Sequence, residues 1–131
     1  MTRFDTDPAQ TTTPVVNLEL LAEELVRQAA VEHAGRAART LPHPVDGLRQ
    51  TLIALTDGAG LQEHNSPGPA SLLVLRGAAR LVVGEDVVRL AVGDHAPIPP
   101  RRHALTADGD TVVLLSVAMG TRVSGGASSS G

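Results

Sequence analysis

From Arg36 to about residue 119 the chain is cut into short apolar runs, with Gly, Pro or Asp interrupting it every eight to twelve residues. GLRQTLIALT, PASLLVLR, ARLVV, VVRLA, HAPIP, RHALTA and TVVLLSVA are short and rich in branched side chains that suit a pleated surface. The intervening DGAG, GA, GED, VGD and DGD are turn chemistry. Many short strands at this spacing, with no second helical stretch among them, predict an antiparallel sandwich or barrel.

The segment before this region has a different period. Between Asn17 and Ala34 the apolar residues Leu18, Leu21, Ala22, Leu25, Ala29 and Ala30 recur at three and four. Glu19, Glu23, Glu24, Arg27 and Gln28 take the other face. Asn17 is placed to cap the start and Gly35 to close the end. Such a helix needs an apolar surface to lie on, and the expectation is that it plugs one end of the barrel or covers an edge strand. The division that follows is a flexible tail over 1–14, a helix within 15–35, a barrel over 36–119 and a Ser/Gly-rich flexible tail over 120–131.

Composition narrows the functions open to such a fold. With 131 residues there is room for one domain, and 42% apolar content is enough for its core. Phe4 is the sole aromatic residue, so stacking platforms for sugars or single-stranded nucleic acid are missing. The 11 basic residues are all Arg against 14 acids, and only Arg101 and Arg102 are adjacent, which is no footprint for a phosphate backbone. Without lysine or cysteine there is no Schiff-base or phosphate-loop lysine, thiolate metal site or disulfide framework. No run is long enough to span a bilayer and the N-terminus has no apolar leader. The expectation is a cytoplasmic protein that binds neither nucleic acid nor membrane.

Chemistry must therefore begin with the five histidines. His33 lies at the helix C-terminus, His43 between two prolines and His95 at a turn end, and each has an ordinary structural explanation. His64 and His103 differ, because each sits on a strand beside a Gly- and Pro-rich bend. Strict alternation places Gln62, His64 and Ser66 on one face, with Glu63 on the other, and gives Pro99, Arg101, His103 and Leu105 a common face. If both faces point into a barrel, the two imidazoles meet inside it. Asp108-Gly109-Asp110 reads as a hairpin turn rather than a calcium loop, and Gly58-Ala59-Gly60 as a strand turn.

The spacing around these histidines resembles the cupin superfamily. Gly58, five residues, His64, one residue, Ser66, three residues, Ala70, six residues and Gly77 follows its first motif, with Ser66 at the second His and Ala70 at the Glu. Gly93, five residues, Pro99 and then His103 is similar to the second motif, one residue short and with Arg101 at a Gly. The 15 residues from 78 to 92 match the compact spacing of small single-domain bacterial cupins.

The resemblance implies an antiparallel jelly-roll β-barrel, mainly β and preceded here by one amphipathic helix, that assembles as a homodimer. Complete members hold one divalent metal on three His and one Glu, of which only His64 and His103 carry over. Pro69, the other position open to the Glu, cannot replace it. The expected function is binding of a small apolar or weakly acidic molecule, anchored by His64 and His103, with Gln62 and Ser66 beside them and Arg101 at the rim. The degenerate site is expected to hold no metal tightly. The alternative is a metal-dependent oxygenase or isomerase carrying Fe, Mn, Zn or Ni on His64 and His103. Catalysis itself is left open.

Overall fold

The computed structural model describes residues 14–42, 46–64 and 68–119. Both sequence-predicted tails fall largely outside this range, as does His43. Among the described residues one helix, α1 (Leu18–Val31), precedes nine strands: β1 (Arg36–Thr40), β2 (Leu48–Leu55), β3 (Gly60–His64), β4 (Ala70–Arg76), β5 (Ala78–Val83), β6 (Asp86–Ala91), β7 (His95–Ile98), β8 (His103–Ala107) and β9 (Thr111–Ala118). They form two antiparallel sheets, β1-β2-β9-β4-β7 and β3-β8-β5-β6. The chain passes repeatedly from one sheet to the other, and this exchange makes the barrel.

Two apolar layers hold the architecture together. Ile53, Leu55, Leu72, Val74 and Val113 from the larger sheet meet Ala79, Leu81, Val83, Leu90, Leu105 and Ala107 from the smaller one. On the opposite face of the larger sheet, Leu52, Ala54 and Val112 receive Leu21, Ala22, Leu25 and Ala29 of α1. β2 is thus buried on both faces from Leu52 to Leu55, which explains its unbroken apolar run. Leu25 is fully buried in the second layer, and removing such a side chain from water contributes about 1.5–3 kcal/mol.

The helix lies on the outer face of the larger sheet, over edge strand β1 and its neighbour β2, and does not plug a barrel end. Asn17 caps it as expected, its Oδ1 accepting from Leu20 N–H at 3.0 Å. Its end comes earlier than the periodicity indicates, because Glu32 is already extended after Val31. Gly35, at φ +72, instead shapes the entry into β1, and a Cβ there would collide with Thr56 Oγ1. Arg76 reaches Glu19 and Glu23 at 3.4 and 3.3 Å, and Arg39 reaches Glu24 at 3.2 Å. These exposed pairs orient the helix more than they stabilise it.

The Asp108-Gly109-Asp110 segment is a turn, but it joins β8 to β9 in the other sheet and is therefore not a hairpin. Gly58-Ala59-Gly60 likewise carries the chain between sheets. β1 was absent from the sequence-predicted strands. No helix among the described residues is long and apolar enough to cross a membrane.

Candidate functional site

β8 begins at His103, directly after the loop 99–102, and its burial alternates cleanly: His103, Leu105 and Ala107 are buried, Ala104 and Thr106 less so. Leu105 and Ala107 belong to the barrel core, so the pleat turns His103 inward with them, at 5% exposure. Its Nδ1 lies 2.8 Å from the carbonyl oxygen of Arg101. A carbonyl can only accept, so Nδ1 carries the proton, and in the neutral ring Nε2 bears the lone pair.

Across the sheet, His103 stands opposite Val83 on β5 and opposite His64 on β3. The β3 register shifts between Leu61 and His64, so that three residues of β3 run against two of β8 from Leu105 to His103. This bulge corrects the strict alternation expected through Gln62, His64 and Ser66. It also keeps both ends in register, with Leu61 opposite Leu105 and His64 opposite His103. Gln62 and Glu63 occupy the bulged stretch, and Ser66 lies outside the described residues.

Arg101 is exposed, and its guanidinium approaches the turn between β5 and β6, where a Cβ on Gly84 would lie 3.4 Å from Nη2. Its backbone carbonyl, which the sequence did not single out, is the group that orients His103. The usable signal was local: a His two residues after a residue in a Pro-bounded bend can donate back to that residue's carbonyl. His95 begins β7 and is exposed, and His33 is exposed beyond α1, as expected for both.

The metal implied by the resemblance needs donors beyond two imidazoles. Among the described residues no three His, Cys, Asp or Glu side chains come together. Ala70, at the position of the acidic ligand, opens β4 opposite Ile98 and Val117 and packs its methyl against the barrel core.

No family model and no curated protein matches the chain. Solved structures do. A conserved protein of unknown function from Streptococcus pyogenes is 30% identical, with a TM-score of 0.61 over 70% of this chain and 80% of that one. A cupin-2 domain containing protein from Shewanella frigidimarina is 13% identical, with a TM-score of 0.64 over 80% and 95%. Salicylate 1,2-dioxygenase from Pseudaminobacter salicylatoxidans is 21% identical, with a TM-score of 0.68 over 79% of this chain and 34% of that one.

Proposed function

We propose that this chain, which shares its fold with solved cupin-superfamily structures, is a small-molecule-binding protein whose site lies where β3 and β8 pair. The observation that carries this reading is the cross-strand placement of His64 opposite His103, the latter buried with its tautomer set by the Arg101 carbonyl. An imidazole oriented by the Arg101 carbonyl is a fixed polar anchor for a ligand hydroxyl or carboxyl group. Arg101, exposed beside the Gly84 turn, supplies a cation for a weakly acidic group. The surrounding Val83, Leu61 and Leu105 favour an apolar body. Gln62 and Ser66 are secondary polar contacts in this reading, and no reaction step is assigned.

The test is a thermal-shift series with small carboxylic acids, beginning with salicylate and hexanoate, on the parent chain and on His103→Ala. A rise in Tm in the parent, absent in the variant, is expected. A flat response in well-folded parent protein across the series would sink the reading. Elemental analysis of the same sample separates it from the metal-enzyme alternative, for which stoichiometric Fe, Mn, Zn or Ni lost on His103→Ala would be the decisive result.

A further inference from the structure

The outer face of the smaller sheet carries positive charge that no described side chain answers. Ala79, Leu81, Leu90 and Leu105 belong to the barrel core, so strand alternation turns their neighbours outward. The outward positions of β5, β6 and β8 are then Ala, Val, Thr and Arg, without a carboxylate among them. A chain whose net charge is -3 thus sets Arg80 and Arg89 on an acid-free face of three adjacent strands.

The two arginines share one register position. β6 places Arg89 directly opposite Arg80, and β8 places Thr106 on the other side of Arg80. Gly60 of β3 stands opposite Thr106, and its carbonyl oxygen accepts from Arg36 Nη1 at 3.0 Å. The row Arg89, Arg80, Thr106, Gly60 therefore crosses the whole sheet, with a third guanidinium at its far end. The two-residue loop Gly84-Glu85 makes Val83 and Asp86 a hydrogen-bonded pair. By alternation Arg80 and Arg89 are a non-hydrogen-bonded pair, with Cα atoms only about 4.5 Å apart.

Like charges directly opposite across strands are destabilising. Arg27, Arg39 and Arg76 all have acidic partners, whereas Arg80 and Arg89 have none among the described residues. Water screens Arg89, which is exposed. Arg80 is half-buried, and its Nε is buried without an acceptor, a costly state for a donor on a charged group. An anion seated over the pair answers both deficits. Two positive charges call for two negative ones, and two guanidinium forks rooted this close converge on one centre bearing several oxygens. A phosphate group meets both demands, while a single carboxylate leaves one charge unmatched. Two arginines are too few to track a nucleic-acid backbone, so the ligand is small.

We propose that Arg80 and Arg89, with the Thr106 hydroxyl beside them, bind a phosphate dianion, free or as the terminal group of a small phosphate ester, on the outer face of the smaller sheet. Arg36 adds to the positive potential from the β3 end of the row. His103 faces the barrel interior, on the other side of the same sheet, so this site does not depend on the ligand site proposed above.

Isothermal titration calorimetry of the full chain with inorganic phosphate, at about pH 8 where phosphate carries two charges and at ionic strength held constant with chloride, tests it. Saturable binding is expected. Arg89→Thr should weaken it by about tenfold or more, and Arg89→Lys, which keeps the charge and loses the fork, by less. Arg89→Thr should also melt above the parent in chloride, and phosphate should narrow that gap by stabilising the parent alone. Succinate, whose two carboxylates sit on separate carbons, should bind about tenfold more weakly than phosphate. Tighter binding of glycerol 3-phosphate than of inorganic phosphate would assign the site to an ester and the reverse order to the free ion, and either supports the proposal. Absence of saturable phosphate binding, affinity unchanged in Arg89→Thr, or succinate binding as tightly as phosphate would overturn it. So would loss of binding in Arg101→Ala alone, which would put the anion at the barrel mouth.

Discussion

His64 and His103, far apart in the chain, occupy one cross-strand register position of β3 and β8. The bulge between Leu61 and His64 makes this possible, because it absorbs the residue that would otherwise throw His64 out of step with His103.

The Arg101 carbonyl depends on His103 for its donor, and the ring is buried. His103→Ala is expected to cost about 1–3 kcal/mol in urea unfolding, from the unmet acceptor and the lost packing.

Leu25 and Leu20 lie on the same helix, but the first is fully buried and the second mostly exposed. Leu25→Ala opens a cavity between α1 and the larger sheet and should cost about 2–5 kcal/mol, while Leu20→Ala should stay within about 0.5 kcal/mol. Denaturant midpoints of the two variants measure the contrast.

Gly77 and Gly93 both have positive φ, at +75 and +89. A Cβ on Gly77 would strike the Asp110 carbonyl oxygen, whereas nothing lies near one on Gly93. Gly93→Ala should therefore carry only the backbone strain, about 1–2 kcal/mol. Gly77→Ala should lower Tm well beyond that, and equal shifts in the two melts would contradict this account.

Thr111 is fully buried at the start of β9, where its Oγ1 lies 2.8 Å from the Ala78 carbonyl and 2.9 Å from that of Gly109. It also accepts from Ala78 N–H at 3.3 Å. Thr111→Val keeps the shape and deletes these bonds, so a loss of about 1–3 kcal/mol is expected from chemical denaturation.

Several features were readable because their causes are local. Asn17 caps α1 because an amide side chain reaches an N–H three residues on wherever the helix sits. The strands from β4 to β9 were delimited by residues that turn the chain irrespective of its surroundings. β1 was not readable: RAART shows no apolar alternation and four of its five residues are exposed, so it is a strand only because β2 pairs with it and α1 packs over it. Asp108-Gly109-Asp110 announced a reversal without saying that the next strand joins the other sheet.

The sequence by itself determined that this chain is a short-stranded β fold with one amphipathic helix and two histidines on strands, because strand period, turn chemistry and capping act over a few residues. Tertiary structure decided the rest: the bulge that aligns His64 with His103, the Arg101 carbonyl that sets the imidazole tautomer, and the face on which α1 lies. Each depends on pairing between segments distant in the chain, and only burial against a partner strand selects among the registers and faces that local preference leaves equal.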